Sequence, residues 1–335
     1  MPILTNEVLN YNPKVPPILY HYCSIPNFLS IIENKSIWLS DATKTNDKTE
    51  LVWIFDNIRQ VIDDILSEHR CDLPEDVIKI SKNHAETLIY NLIENRAPIV
   101  QEAKNLIVCF SEEQDLLSQW RAYANNGQGI AIGIDSSFLE SFSSSTSHGF
   151  TKVIYDEEDI QLFLCKGMEK QLVDAIKDNL DKENRIIDDI DLKIDIAIVI
   201  YAIFQEGFVF KHKSFSEEKE WRILKRYSAS NYTDSDGIDD YGYSEFLEGI
   251  FGNNSSYVGP FSRSELKFRS VDDDIRAYVE LGFDKIKSKF IKEIIIGPKC
   301  KISELDIRLL LAKNGYIEDF KSEEIKIIRS VAPYK

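Results

Sequence analysis

Residues 105–135 constrain the fold of this chain most tightly. "NLIVCFSEE" is a continuous apolar run of strand length, "LLSQWRAYA" has the spacing of a short helix, and "NGQGIAIGID" sets turn glycines before another strand. Strand, helix, turn and strand within roughly thirty residues point to a core that mixes the two kinds of element, an α+β fold. The cluster Gly127, Gly129 and Gly133 reads as a turn followed by a strand with one glycine for close packing.

The rest of the chain extends that pattern. "PILYHYCS" has strand composition, Ser24 and Pro26 mark a helix start for "NFLSIIENK", and "SIWLSD" is a second short strand. Apolar residues at 51, 52, 54, 55, 58, 61, 62, 65 and 66 form the stripe of an amphipathic helix starting near Asn46 or Asp47, with more helix over Pro74 to Lys104. A small-polar loop at 140–148 precedes the strand "FTKVIYD", and helices are predicted at about 157–182 and 191–210. The period then shifts to a strand within "FKHKSFSEEKEWRILKRY", and residues 229–262 read as a long loop. Strands at "LKFRSV", "YVELGF" and "IKEIIIG", a helix at "ISELDIRLLLAKNG" and a strand at "EEIKIIRS" close the chain. With neither repeat nor linker, residues 1–335 are expected to form a single α+β domain carrying a helical insertion at about 48–105 and a second helical segment at about 157–210.

Composition excludes several classes of function. A 43% hydrophobic and 29% charged chain has ample apolar surface to bury. A net charge of −16 repels phosphate polymers, so nucleic acid is disfavoured as a partner. Five scattered cysteines without a C-x-x-C pair argue against a disulfide framework and a thiolate zinc site, and fit a reducing cytoplasm. The opening residues lack a signal peptide's basic start and apolar run. The most apolar window, Ile196 to Phe204, is too short for a membrane span and reads as a buried helix, so no membrane association is expected.

No H-E-x-x-H, P-loop, Rossmann or G-x-S-x-G motif is present. Asp272, Asp273 and Asp274 read as a solvated turn, because three consecutive side chains do not converge. Asn46 and Asp47 with Glu50 either cap the long helix or wall a polar site. His69, His84 and His148 lack partners nearby in sequence, and His212, in "FKHKSF", reads as a residue preceding the strand. His21 alternates with Tyr20 and Tyr22 on a strand, and is either a core histidine with one satisfied hydrogen bond or a ligand-holding group. In "FSEEKEWRILK", a strand would put Glu218 and Glu220 on one face with Arg222, and Glu217, Lys219 and Trp221 on the other. Such carboxylates either form a solvated edge with the arginine or flank an oxocarbenium-like sugar carbon, as glycosidic chemistry requires. "QWRAYA" adds Trp120, Arg121 and Tyr123, residues that stack a planar ring and neutralise a phosphate, or serve as ordinary core and helix positions.

The blocks "LYHYCSIPNFLSIIENKSIWLSDATKTNDKTE", "IVCFSEEQDLLSQWRAYANNGQGIAIGID", "FKHKSFSEEKEWRILK" and "IKEIIIGP" resemble, in order from about residue 18 to 300, the bacterial domain of unknown function 2971. More distantly, a strand ending in His-Tyr followed by "IIENKSIWLS" is similar to the opening of ADP-ribosyltransferases of the diphtheria-toxin and DarT-like groups. That resemblance implies a mixed, mainly antiparallel central sheet and NAD as the substrate, with no metal. It implies that His21 holds the adenosine ribose, that Tyr22 walls the pocket, and that Glu220 is the catalytic acid, with Glu218 as the alternative. Ser40, Ser111, Arg121 and Arg222 are assigned to the same pocket, and Trp120 or Tyr123 to stacking of nicotinamide. The pattern departs from that family in lacking a second-motif tyrosine pair and a neat arginine motif.

The expectation is therefore an ADP-ribosyltransferase-like enzyme that cleaves the nicotinamide–ribose bond, a toxin or phage-defence effector acting on a protein or small-molecule acceptor, with an antitoxin or defence-system partner. Two alternatives stand beside it. One is a ligand-binding or regulatory module without turnover. The other is a metal-dependent nuclease using Asp47, Glu50, Glu218 and Glu220.

Overall fold

In the computed structural model, which describes residues 13–44, 48–94, 103–144, 148–228, 262–263, 265–271 and 273–334, strand alternation sorts the apolar residues onto the two faces of one mixed sheet. The chain runs β1 (Ile18–Cys23), α1 (Ile25–Asn34), β2 (Ser36–Asp41), α2 (Lys48–Glu68), α3 (Glu75–Ile93), β3 (Ala103–Ser111), α4 (Leu117–Ala122) and β4 (Ile130–Asp135). It continues through β5 (His148–Lys152), α5 (Glu157–Asp178), α6 (Asp189–Glu206), β6 (Glu220–Ser228), β7 (Ser262–Arg263), β8 (Lys267–Val271) and β9 (Asp274–Gly282). It ends with α7 (Lys287–Phe290), β10 (Ile291–Ile296), α8 (Glu304–Lys313) and β11 (Lys326–Arg329). Every strand pairing is antiparallel except that of β10 with β11. The fold is therefore α+β, with a mixed, mostly antiparallel sheet.

One strand joins the two halves of that sheet. All nine residues of β3 pair with β6, from Ala103 opposite Ser228 to Ser111 opposite Glu220. The other edge of β3 is shared: β1 meets it at Ser111, through Tyr20, and β2 meets it at Leu106 and Ile107, through Asp41 and Ser40. Beyond β1 lie β4, β10 and β11, and beyond β2 lie β9, β7 and β8. The sheet thus splits into two wings along the edge of Val108, Cys109 and Phe110, and in the split the His21 Nδ1 donates to the Cys109 carbonyl at 3.0 Å.

The first face carries Leu19, Leu39, Val108, Ile132, Ile223 and Val279, covered by α1, α7 and α8. Helix α1 begins where the sequence predicts: the Ser24 side chain accepts from Asn27 N, a proline lies in the first turn, and Lys35 ends the helix at φ 51°. On the second face, over β3 and β6, helices α2, α3, α5 and α6 share one apolar cluster with Ile107 and Leu224. The two predicted helical segments are therefore a single layer that packs on the sheet. Over β1, β4 and β10 the second face carries Tyr20, Tyr22, Ala131 and Ile295, against Trp120 of α4. No helix among the described residues is long and apolar enough to cross a membrane; Ile196 and Ile200 of the most apolar window are fully buried in the helical layer.

Several boundaries differ from expectation. Strand β3 starts at Ala103, inside the stretch assigned to helix, because its full-length ladder with β6 outweighs local periodicity. Asn46, Asp47, residues 95–102, Asp272 and residues 229–261, part of the stretch expected to be a long loop, lie outside the described residues. The glycines of "NGQGIAIGID" are structural. Gly127 has φ +84°, after Asn125 and Asn126 in the same left-handed region, and a Cβ on Gly129 would sit 2.2 Å from the Cys23 carbonyl oxygen.

The turn after β3 is tied to the C-terminal segment by Asp115. Its Oδ1 accepts from Trp120 Nε1 at 2.6 Å and from Ser330 Oγ, and its Oδ2 accepts from the backbone N–H of Val331 at 2.9 Å and of Ala332 at 3.1 Å. Replacing Asp115 by Ala removes the acceptors of four hydrogen bonds at once and is expected to cost about 2–4 kcal/mol. Urea unfolding measures that loss, and trimming by carboxypeptidase, faster in the variant, reports release of residues 330–334.

Candidate functional site

The densest group of buried charge lies at the start of β6. Phe210 ends a fully apolar run, and the next residue, Lys211, is 3% exposed. Residues Lys213–Glu218 form a 3-10 turn whose first N–H groups are capped by His212, with Ser214 N donating to His212 Nδ1 at 3.2 Å. Lys219 then takes a left-handed conformation at φ 42°, and the strand begins only at Glu220. Glu218 is thus not on the strand, contrary to the alternation read from sequence; the left-handed turn returns its carboxylate to the side of Glu220. Ser111 fixes this turn, donating its hydroxyl to the Glu218 carbonyl at 2.7 Å and accepting from Glu113 N at 3.0 Å.

Four charges meet there. Arg222 grips Glu220 with both arms of its fork, Nε to Oε1 at 2.7 Å and Nη2 to Oε2 at 3.1 Å, and donates Nη1 to the Phe208 carbonyl at 2.7 Å. The Lys211 ammonium bridges the carboxylates, 2.7 Å from Glu218 Oε2 and 3.2 Å from Glu220 Oε2. All four side chains are buried. Cys109, on β3 directly opposite Arg222, donates its thiol to Glu220, and the Tyr155 hydroxyl accepts from Glu220 N at 3.1 Å.

The two carboxyls are driven apart in acidity. Burial raises Glu220, but the Arg222 and Lys211 cations more than reverse this and hold it at about 2. Burial also raises Glu218, and there the attraction of Lys211 offsets only part of the effect. Tyr123 stands at the rim, 40% exposed, within electrostatic reach of Lys211, Glu218 and Glu220; burial chiefly raises its phenol, as it does that of Tyr155.

The structure gathers Glu218, Glu220, Arg222, Ser111 and Tyr123, and sends the other candidates elsewhere. His21 lies opposite Ile132 on the first face, with Leu19, Cys23 and Phe110, whereas Glu220 lies opposite Ser111 on the second. Strand parity thus separates the histidine from the glutamate. Burial lowers the His21 imidazole, leaving it neutral beside the Cys109 carbonyl. Tyr22 is on the second face, but its hydroxyl already donates to the Glu113 carbonyl at 2.7 Å and accepts from Leu116 N. Trp120 is fully buried against Tyr22 with its N–H on Asp115, so no face of it is open to a ligand ring. Arg121 turns to the C-terminal segment, over the ring of Tyr334. Ser40 is on the other wing, beside Arg269.

Of the proposed nuclease set, Asp47 lies outside the described residues, and the Lys211 ammonium sits between Glu218 and Glu220 while Arg222 holds both oxygens of Glu220. Among the described residues no three His, Cys, Asp or Glu side chains converge as metal ligands. Sequence reasoning missed Lys211 and Tyr155. A lysine directly after the apolar run Phe208–Phe210 was the available signal for the first.

Residues 119–223 match the family model described as Protein of unknown function (DUF2971). The matched span runs from α4 to the first residues of β6, and so holds Tyr123, Tyr155 and the whole Lys211, Glu218, Glu220 and Arg222 cluster, while the residues quoted before Gln119 and the block "IKEIIIGP" fall outside it. No curated protein and no solved structure matches the chain.

A depressed carboxyl stabilises the folded state only where it is ionised. Glu220 therefore contributes stability above the unfolded carboxyl value of about 4.5, and loses it as pH falls toward about 2, a span worth on the order of 3 kcal/mol. Glu218, raised by folding, has the opposite sign: its contribution falls as pH rises through its folded value. Urea midpoints of wild type and Glu220→Gln, compared from pH 7 to pH 3, are expected to converge as the pH drops below about 4.5.

Proposed function

We propose that this chain cleaves a glycosidic bond, and that its substrate is NAD, broken between nicotinamide and ribose. The observation that carries the reading is the divergence of two neighbouring carboxyls, Glu220 pinned as an anion and Glu218 raised toward neutrality, with two tyrosines close by. Neighbouring titratable groups whose acidities are pushed apart are the usual source of a general base and an electrostatic stabiliser in one site. Roles follow from the geometry. Lys211 holds only Oε2 of Glu218, which leaves Oε1 to take the proton of an attacking hydroxyl. Glu220, fixed by Arg222, supplies the negative field that favours the ribosyl cation. The C1′–N bond breaks with its electron pair going to the pyridine nitrogen, the oxygen of water or of an acceptor bonds to C1′, and the proton passes to Glu218. Proton transfer thereby falls to Glu218 and not to Glu220, the residue expected to be the catalytic acid, and His21 has no part in the centre.

The charge of −16 favours a protein or small-molecule acceptor over a polynucleotide. Depletion of cytoplasmic NAD is the action of a toxin or phage-defence effector, and an antitoxin is the partner such an activity requires.

One observation favours a second reading, a ligand-binding module without turnover. Both cations of the cluster are already engaged by its carboxylates, as they are in a network that serves architecture alone. Proton NMR of NAD with the purified protein separates the two. The catalytic reading expects nicotinamide release by wild type and a loss of at least about 100-fold in Glu218→Gln, with an unchanged circular dichroism spectrum. Equal, background release by both proteins would establish the module.

A further inference from the structure

Two arginines face each other on the wing of the sheet that the charged cluster does not use. Arg269 of β8 and Arg276 of β9 are directly opposite in the hairpin register, on the face that also carries Trp38 and Ser40 of β2 and Tyr278 of β9. Like charges opposite each other on neighbouring strands destabilise a sheet. The Nε atoms of both arginines are buried, and neither has a hydrogen-bond partner among the described residues. The adjacent carboxylates are engaged elsewhere: Asp274 with Lys44 at 2.6 Å, and Glu280 with Lys267 at 2.8 Å. Lys44 and Lys267 thus take up these two carboxylates.

Aromatic groups flank the pair. The Trp38 and Tyr278 rings lie 4.5 Å apart at 34°, the Arg269 guanidinium sits 5.0 Å over Trp38, and Arg269 Nη2 reaches Ser40 Oγ at 3.4 Å. Two guanidinium forks side by side, each with an Nε that has no partner among the described residues, suit a phosphate group, whose oxygens accept from both, and an adjacent aromatic pair suits a planar base. Ser40, Ile107 and Leu224 form one cross-strand row on this face, and Cys109 and Arg222 the row two residues along, so the arginine pair and the Glu218/Glu220 cluster share a face of the sheet.

We infer that Arg269 and Arg276, with Trp38, Tyr278 and Ser40, form a binding site for a nucleoside diphosphate or the equivalent part of a larger nucleotide. The choice of a nucleotide rests on the NAD reading above; the phosphate preference rests on the arginine pair alone. A free nucleotide is favoured over a polymer because the rest of the chain repels polyphosphates.

Calorimetric titration of the full chain with ADP, and with inorganic pyrophosphate as competitor, tests the site. Wild type is expected to bind ADP and pyrophosphate to displace it; Arg269→Gln and Arg276→Gln each weaken binding about tenfold, and the double variant abolishes it. Arg269→Lys with Arg276→Lys keeps the charge without the forks and is expected to weaken binding as well, which separates bidentate recognition from bulk charge. Without ligand, each Gln variant is expected to melt at or above the wild-type temperature, because the facing charges are relieved. Absence of ADP binding by wild type, binding that both double variants leave unchanged, or binding of an RNA oligonucleotide in place of ADP would each overturn the site. ADP binding that survives Glu218→Gln in a protein without nicotinamide release would support this site while overturning the catalytic reading. Nicotinamide release by a protein whose ADP affinity ignores the arginines would do the reverse.

Discussion

The ladder between β3 and β6 is the interaction on which the rest of the structure hangs. Nine consecutive residue pairs join strands more than a hundred residues apart in sequence, and no other pairing in the sheet runs so long. The ladder carries apolar side chains to both faces, Val108 and Ile223 to one and Ile107 and Leu224 to the other, so each layer of the protein packs against the same two strands. It also aligns Ser111 with Glu220 and Cys109 with Arg222, which gives the charged cluster its registry. Because one edge of β3 is fully occupied, β1 and β2 must divide the other, and the split between the wings follows from that division.

Burying two carboxylates and two cations under a helical layer is costly in itself. Their attraction offsets the lost hydration only when the geometry is close to ideal, as the two-armed grip of Arg222 on Glu220 is. Such a network leaves its strongest mark on specificity: a register slip of one residue along β6 would turn Glu220 and Arg222 onto the apolar first face and away from Lys211 and Glu218. The asymmetry between the carboxylates comes from the same geometry. Glu220 has two cations, Glu218 one, and the second cation reverses the effect of burial.

Much of this was legible in the amino-acid order. Periodicity placed α1, the helical layer, α8 and most strands, because each carries an apolar pattern over enough residues to be distinctive. The mixed, mostly antiparallel sheet agrees with expectation. Glu218 was misplaced because its turn depends on a left-handed lysine, and Lys219 carries no mark of that conformation as a glycine would. His21 was paired with Glu220 by the resemblance to ADP-ribosyltransferases, although parity along β1 ties it to Leu19 and Cys23; only the register of β1 on β3 reveals that this is the other face. The facing arginines escaped notice because "FRSVDDDIRAY" shows an arginine pair only once the chain is folded back about the turn at 272–273.

The grip of Asp115 on Val331 and Ala332 also sets an order of events during synthesis. The hydrogen bonds that fix the turn beside Trp120 and Tyr123 come from residues made more than two hundred positions later. A nascent chain still tethered to the ribosome at residue 320 can form the β3 and β6 ladder and seat the four charges, but it lacks the donors that close this clasp. The rim of the site is therefore completed last, after the sheet and the charged cluster it borders.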